Sequence, residues 1–530
     1  MSTSHDRSQE RTRDVSDLLA AAVEAVLPEA VARNRGVGDD NSYADFDISP
    51  PISARDLPGV ERELKRLIAA TGEGDPAAVR IGTVSGVYPD GDESKPMRSR
   101  VTAVAFPRRE ELAAYLEEAE RRRALDHRTI GAALGLFTVD ETVGKGFPLL
   151  KPKGATMRRV LERYIVDEEL RRGYEHVNTP VMGRRELYEI SGHLDHYHET
   201  MFPPITLDNE ELYLRPMTCP HHFMLYKSEL RSYRDLPIRY AEISPLFRKE
   251  LSGSLYGLVR ILQFHLADAH VFCPFEQIHS EFVQAIELIR KVMGDLGLAD
   301  RVSFRLSLRD ESKEKYIADD AGWELAEATL RGIVDDIGLD YEVSRGDASH
   351  YGPKLDIEIE NANGKQETIF TNQLDFALAK RFGLEYVDAD GGRKHPYIIH
   401  RSSVGCIERT IAFLTEHYEG AFPLWLAPIQ IVVLPVTRDA TGYAWEVREA
   451  LGAHELRATV DGRDTKLGGR IHEARKQLVP YLCVVGEREA SERSVSVKNR
   501  DSEGQTVRPL EEFARAAAEE TRRRSLVLEL

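Results

Sequence analysis

Cysteine is scarce: Cys219, Cys273, Cys406 and Cys483 are the only four in 530 residues, far apart and without paired spacing. That excludes a disulfide scaffold and fits a reducing compartment. No run of about 18 apolar residues occurs, so no membrane-spanning helix is expected. The opening stretch MSTSHDRSQERTRD is polar, without the apolar segment of a secretory leader, and a cytoplasmic location is expected. Gly and Pro, at 38 and 25 residues, stay near the globular background, which excludes collagen-like and low-complexity architectures. Positive charge is in deficit. Lys and Arg total 71 against 88 Asp and Glu, a net charge of -17, so the chain as a whole does not attract polyanions and any nucleic acid must meet local basic patches.

What is present is a globular composition, 42% hydrophobic and 30% charged. At about 100 to 200 residues per domain, the length suggests roughly three domains. The first dozen residues lack periodicity and read as a disordered arm. Apolar spacings of three and four from Val15 to Leu27 predict an amphipathic helix ending near Pro28. Tyr43 to Ile48 reads as a short extended piece, and Ser53 to Ala70 as a second helix on Leu57, Val60, Leu64 and Leu67. Residues 71–99 are rich in Gly, Pro and charge and read as loops around one short strand, so residues 1–110 are expected to be too thin for a large core of their own. From Glu110 to Phe137 a charged helical stretch leads into the largest block. There Lys354–Glu360 and Glu367–Phe376 alternate in polarity on either side of Asn363-Gly364, a hairpin signal. Beyond Pro428, strands at Ile429–Val436, Leu456–Val460 and Tyr481–Val485 alternate with helices at Thr441–Leu451 and Leu467–Gln477, predicting a small α/β domain.

The segment from Arg239 to Phe272, RYAEISPLFRKELSGSLYGLVRILQFHLADAHVF, carries the most chemistry. Phe247-Arg248-Lys249-Glu250, a Ser- and Gly-rich loop, then Arg260 and Phe264 describe two antiparallel strands joined by a loop. An Arg suits phosphate chemistry there, because its fixed charge and planar donors neutralise an α-phosphate while a carboxylate attacks it. Taken alone, the segment also reads as an Arg/Glu surface hairpin. Two partners accompany it in order: Gly173-Tyr-Glu-His-Val-Asn-Thr-Pro180 after a helix from Met157 to Arg172, and Gly405-Cys-Ile-Glu-Arg409 before the apolar helix TIAFLTEHY. Together the three resemble motifs 2, 1 and 3 of class II aminoacyl-tRNA synthetases. Pro216-Met-Thr-Cys-Pro-His221, Ser232-Tyr-Arg-Asp-Leu-Pro237, Ala267-Asp-Ala-His270, Ser349-His-Tyr-Gly-Pro-Lys354, Asn372-Gln-Leu-Asp-Phe376 and Ile398-Ile-His-Arg401 are similar to the threonyl members of that class, from Ala114 to the C-terminus.

The resemblance implies an α+β class II catalytic domain, an antiparallel sheet flanked by helices, at residues 113–428. It adds a C-terminal α/β anticodon-binding domain at 429–530 and a short, truncated editing-domain remnant at 1–112. It implies a ligase that activates L-threonine with ATP and Mg(II) to the adenylate and charges the 3′ end of tRNA(Thr), working as a homodimer through motif 1. Arg248, Glu250, Arg260, Phe264 and Arg409 would hold ATP, Arg248 and Arg409 catalytically. Cys219, His270 and His400 would hold one Zn(II) per subunit. Spacing alone does not single them out, since gaps of 51 and 130 residues follow no ligand rule and His221 and His222 stand beside Cys219. One sulfur and two nitrogens leave an open position, the catalytic arrangement. Threonine and valine are nearly isosteric, and a Lewis acid that takes both amine and hydroxyl separates them where an apolar pocket cannot. Asp268, Tyr351, Gln373 and Met217 would line that pocket, and Lys354 would contact phosphate or carboxylate.

His193, in Ser191-Gly-His-Leu-Asp-His-Tyr197, matches a family position near the tRNA 3′ end, where an imidazole can assist proton removal from the ribose 2′-hydroxyl. A polar, His-rich surface loop is the other reading. Lys466, Arg470, Lys498 and Arg500 could meet tRNA phosphates or bases, or be ordinary solvated side chains. Two departures stand out. Leu266 replaces a Gln usual in the family, which bears on the substrate carboxylate. At the front, Arg13 and Asp17 stand where the editing domain's HxxxH histidines would be and the later Cys/His pair is missing, so seryl-tRNA would go uncorrected unless a separate trans-editing protein cleared it. Alternative functions are a paralogue handing its adenylate to a non-tRNA acceptor, or a regulatory tRNA-binding paralogue.

Overall fold

The computed structural model describes residues 13–38, 41–72, 74–89, 95–312, 315–361 and 364–530; the N-terminal arm and Asn363 of the hairpin signal lie outside these. The chain divides into two compact units at Ala124/Leu125.

The first unit contains helices α1 (Ser16–Val26) and α2 (Leu57–Thr71) and strands β1 (Val31–Val37), β2 (Ser42–Asp47), β3 (Val79–Val87) and β4 (Arg98–Ala105). The strands form one antiparallel sheet in the order β1-β2-β4-β3. Helix α3 (Arg109–Leu125) follows, with Leu112 packed beside Val104 and Phe106. Alternation in β2 and β4 turns Ala44, Phe46, Val101, Ala103 and Ala105 to one face, where they pack with Leu19 and Val23 of α1 and Val60, Leu64 and Ile68 of α2. The unit therefore has its own core, which corrects the expectation of a portion too thin for one. The single short strand expected in residues 71–99 is likewise corrected: β3 is nine residues long. Gly82 and Gly86 concealed it. A Cβ at either would collide with Thr102 or Met97, so these glycines serve close packing within the sheet rather than loops.

In the second unit, the charged helical stretch is broken at Asp126, whose carboxylate caps a new helix by accepting from the Arg128 backbone N–H. The motif 1 helix is α4 (Pro152–Leu170), followed by β5 (Glu175–His176) and α5 (Cys219–Lys227). The motif 2 strands are β6 (Ile238–Phe247) and β7 (Gln263–Cys273). Then come α6 (Ile278–Asp295), β8 (Val302–Leu308), α7 (Asp320–Asp336), β9 (Glu342–Arg345), β10 (Lys354–Glu360), β11 (Gln366–Asp375), β12 (Tyr397–Cys406) and the motif 3 helix α8 (Ile407–His417). One eight-stranded sheet runs β9-β8-β10-β11-β12-β7-β6-β5. It is antiparallel from β8 to β6 and parallel at both edges. Its apolar rows, among them Ala269, Val271, Leu355, Leu374 and Ile399, are buried with residues of α6 and α7. Ala267, Ile357, Phe370 and Val404 continue that layer with residues of α4, α6 and α8.

The C-terminal part contains β13 (Ile431–Pro435), α9 (Thr441–Ala453), β14 (Ala458–Val460), α10 (Leu467–Lys476), β15 (Tyr481–Val485), β16 (Ser494–Asn499), β17 (Thr506–Pro509) and α11 (Leu510–Arg523). Its sheet order is β14-β13-β15-β16-β17. No helix among the described residues is long and apolar enough to cross a membrane.

The core of the first unit predicts independent folding. A fragment spanning residues 13–124 should melt cooperatively in circular dichroism. Phe46→Ala, at a fully buried position, should cost that fragment about 3–5 kcal/mol in urea titration.

Candidate active site

Strand register builds the site. Cross-strand pairing aligns Tyr240 with His270, His270 with His400, His400 with Gln373 and Gln373 with Lys354, one continuous line from β6 to β10. Two residues along, Glu242, Asp268, Ser402, Thr371 and Asp356 form a parallel line. With period-two alternation, these rows share the face opposite the helix-covered one, and all of their members except Tyr240 and Glu242 line a cleft of about 400 Å³. The cleft is also lined by Arg248, Glu250, Arg260, Phe264, Arg409, Met217, Cys219 and Tyr351.

Cys219, at the first turn of α5, meets His270 and His400 so that one sulfur and two ring nitrogens lie within 4.8 Å of one another, all three residues buried. His270 Nε2 is buried without a hydrogen-bond partner. Burial, aided by the neighbouring His400 and His222, holds the His270 pKa well below the ordinary value, which keeps the neutral ring a metal requires. Burial pushes the Cys219 thiol up, and Asp268 and Asp375 push the same way. A cation among these groups would reverse that and favour the thiolate. Tyr351 stacks on His400 at 4.7 Å, and its hydroxyl donates to Gln373 Oε1 at 2.6 Å.

Behind the cluster lie groups that single-residue sequence reasoning missed: His222, Glu242, Arg215 and Asp375. His222 Nδ1 is 2.9 Å from His270 Nδ1, and His400 Nε2 is 3.0 Å from Asp375 Oδ2. Burial would raise the Glu242 carboxyl, yet hydrogen bonds from His222, Arg215 and Thr179 hold it at about 2. The adjacent histidines at 221 and 222 were a visible signal. Their division of labour was not: His221 Nε2 approaches the Met182 carbonyl at 3.2 Å, away from the cluster.

At the other end of the cleft, Arg248 donates from Nε to the Pro216 carbonyl at 3.3 Å and lies 5.2 Å from the Phe264 ring centroid. Arg409 donates to the carbonyls of Val259 (3.0 Å) and Thr368 (2.8 Å). Burial and the Arg409 charge both push the Arg248 pKa down, the signature of two cations gathered for an anion. Arg260 is exposed at the rim. Lys354 Nζ donates to Asp356 Oδ2 at 2.7 Å, and Leu266 lines the cleft beside Phe264.

His193 is 2% exposed, its Nδ1 2.7 Å from Ser191 Oγ and its Nε2 3.1 Å from Met217 Sδ, which corrects the surface-loop reading for this residue. Two tRNA candidates are corrected as well. Arg470 is buried and donates to the carbonyls of Asp461 and Pro435; Arg500 donates to those of Phe422 and Leu478 and pairs with Asp501. Arg470 commits Nη1 and Nη2, and Arg500 commits Nε, Nη1 and Nη2, to partners within the fold. Lys466 is exposed and Lys498 half-buried.

An antiparallel sheet with Arg248 just past the motif 2 strand β6 and Arg409 in the motif 3 helix α8 has the architecture of a class II aminoacyl-tRNA synthetase. In agreement, residues 204–418 match a family model described as the tRNA synthetase class II core domain (G, H, P, S and T), and residues 430–520 match an anticodon binding domain. A threonine--tRNA ligase of Geobacillus kaustophilus is 46% identical over 93% of this chain and 76% of its own length. One of Anoxybacillus flavithermus is 41% identical over 96% and 89%. The crystal structure of the RNA binding domain of threonyl-tRNA synthetase from Cryptosporidium parvum superposes with a TM-score of 0.71 at 34% identity, covering 76% of this chain and 99% of that one. The chain belongs to the threonine--tRNA ligase family.

The paired arginines give a direct test. Removing one electrostatic stabiliser of this kind typically costs about 3–4 kcal/mol, so Arg248→Ala and Arg409→Ala should each slow adenylate formation at least roughly a hundredfold in pyrophosphate exchange. Near-normal rates in both would overturn the assignment of the cleft.

Proposed function

We propose that the chain activates L-threonine with MgATP and transfers it to the 3′ adenosine of tRNA(Thr). The observation that carries this reading is one cleft holding the Cys219/His270/His400 cluster at one end and the Arg248/Arg409 pair at the other. The threonine carboxylate attacks the α-phosphorus of ATP, and pyrophosphate leaves with Mg(II). Arg248 is set, through its hold on Pro216, to neutralise charge growing on the α-phosphate; Arg409 takes the γ-phosphate and faces the adenine with Phe264. Glu250 and Arg260 complete the nucleotide contacts. Lys354, tied to Asp356, offers a cation to the carboxylate or phosphate, and Asp268, Tyr351, Gln373 and Met217 border the amino acid. In transfer, a terminal ribose hydroxyl attacks the adenylate carbonyl and AMP departs, with His193 placed beside Met217 to take the hydroxyl proton. The C-terminal domain would read the tRNA, with Lys466 and Lys498 as its remaining basic candidates.

The residues fit zinc: a bare buried imidazole nitrogen, a second histidine already oriented by a carboxylate, and a thiol. Zn(II) held by Cys219, His270 and His400 supplies a Lewis-acid site that accepts an amine and a hydroxyl together and so discriminates against valine. A second copy of the chain, docking through the motif 1 region, would cover Val143 and Leu149, which are exposed beside the start of α4. The regulatory paralogue reading is disfavoured, since both arginines and the whole cluster are present, and the reading with a non-tRNA acceptor is disfavoured by the anticodon binding domain match at residues 430–520.

Two outcomes test this reading. Purified protein should hold about one zinc per chain by atomic emission, and Cys219→Ser should lose both the metal and threonine activation; full activity in metal-free protein would remove zinc from the mechanism. The second concerns serine, which presents the same amine and hydroxyl and differs by one methyl, worth roughly 1–3 kcal/mol or about 10- to 200-fold. Residues 13–124 contain neither His nor Cys, and Asp17 is engaged in an ion pair with Arg35 at 2.5 Å, so the described residues of the first unit offer no imidazole or thiol for hydrolysis. The chain should form measurable seryl-tRNA and leave preformed seryl-tRNA(Thr) to decay at the spontaneous rate. Rapid deacylation of that substrate would give the first unit an editing role after all.

A further inference from the structure

The contacts behind the cluster determine which nitrogen each histidine presents. Glu242, 4% exposed, accepts from Arg215 Nη2 on Oε1 at 2.9 Å and from Thr179 Oγ1 on Oε2 at 2.7 Å. Arg215 is itself fully buried, so Glu242 is the carboxylate that balances its charge and can only accept hydrogen bonds. His222 Nε2 lies 3.3 Å from Glu242 Oε2 and must therefore carry the ring hydrogen. With one N–H on the His222 ring, that on Nε2, its Nδ1 is left as an acceptor. Its neighbour at 2.9 Å, His270 Nδ1, is then the donor. The lone pair of His270 is left on Nε2, the atom that is buried without a partner among the described residues.

The opposite limb works with the other tautomeric outcome at the metal. Asp375, fully buried, accepts on Oδ1 from the backbone N–H groups of Ala377 and Leu378, at 2.9 and 2.8 Å. Its Oδ2 faces His400 Nε2 at 3.0 Å, so His400 keeps its hydrogen on Nε2 and its lone pair on Nδ1. We propose that His222, backed by Glu242, and Asp375 are positioning residues of the metal site, setting His270 as an Nε2 ligand and His400 as an Nδ1 ligand. The proposal rests on the zinc reading above.

Zinc affinity of the metal-free protein, measured by competition with a chromophoric chelator, tests it without reference to activity. His222→Leu should bind zinc about 10- to 100-fold more weakly, while His222→Gln, whose amide oxygen accepts and whose NH₂ donates, should stay within a few-fold of wild type. Asp375→Asn changes almost no volume. The two backbone donors hold its amide oxygen, so the NH₂ meets His400 Nε2 and drives the ring hydrogen to Nδ1; a loss of the same size is expected. Melting of the metal-free proteins should be unchanged for the Asn and Gln variants. Wild-type affinity in Asp375→Asn and His222→Leu, with Cys219→Ser losing the metal, would overturn the positioning roles and leave the zinc reading intact. Equal weakening by Gln and Leu at 222 would also overturn the relay. A wild-type protein that takes up no zinc would overturn both readings. If His222→Leu does not fold, Asp375→Asn decides.

Discussion

Because strand pairing repeats every two residues, aligning His270 with His400 across β7 and β12 commits every other residue of those strands to a face. His270, Asp268, Leu266 and Phe264 turn toward the cleft; Ala267, Ala269, Val271 and Cys273 turn toward the helices. A slip of one residue would bury Asp268 and His270 among Leu and Ile side chains and expose the apolar row, at a cost far above ordinary stability. The same hydrophobic burial that holds the sheet against α6, α7 and α8 therefore also sets where His270, His400 and Asp268 face the cleft. A register shift between Leu266 and Asp268, where β7 meets β12, falls inside the cleft, where bulges commonly re-aim side chains.

A second tie holds the strand carrying His400 to motif 1. Arg401, one residue on and facing the other way, donates to Glu169 Oε1 and to Ser403 Oγ, each at 2.6 Å, and its guanidinium lies 4.2 Å from the Tyr174 ring centroid. Glu169 ends α4, and His176 of β5 approaches its other oxygen at 2.9 Å. This pair is sealed from water, so loss of either partner strands a buried charge at a cost of about 3–5 kcal/mol. Motif 1 is thus coupled to the active site through the back of the sheet, even though none of its residues lines the cleft.

The sequence made some of this legible and hid the rest for physical reasons. Runs such as Lys354–Glu360 and Tyr481–Val485 announce strands because their apolar spacing and β-branched content are local properties, and the structure has strands there. The motif strings located Arg248 and Arg409 because the strand-loop-strand and strand-helix patterns around them are local in the sequence, and the structure has β6, β7, β12 and α8 there. Cys219, His270 and His400 were invisible to spacing, since their meeting depends on strand order and register, which are long-range. The first unit was misjudged where glycines normally read as turns were needed for tight sheet packing at Gly82 and Gly86. Arg470 and Arg500 were misjudged because a sequence does not reveal which carbonyls a guanidinium will find.

That last failure points to a general distinction in this molecule. Its arginines divide by how much of the guanidinium fork the fold consumes. Arg215 spends Nε, Nη1 and Nη2 on Pro245, Thr179 and Glu242, and Arg500 does the same with Asp501, Phe422 and Leu478. Arg248 commits Nε to Pro216 and keeps its remaining donors on the cleft side, next to Arg409. Withdrawing a cation from water is costly, and the fold keeps Arg248 close to Arg409, whose Nε and Nη1 donate to the Val259 and Thr368 carbonyls. That cost is offset when a polyanion enters between them, so the destabilised free site becomes a preference for phosphate. In a chain carrying 17 more negative than positive charges, Arg248 and Arg409 make the cleft a local concentration of positive charge.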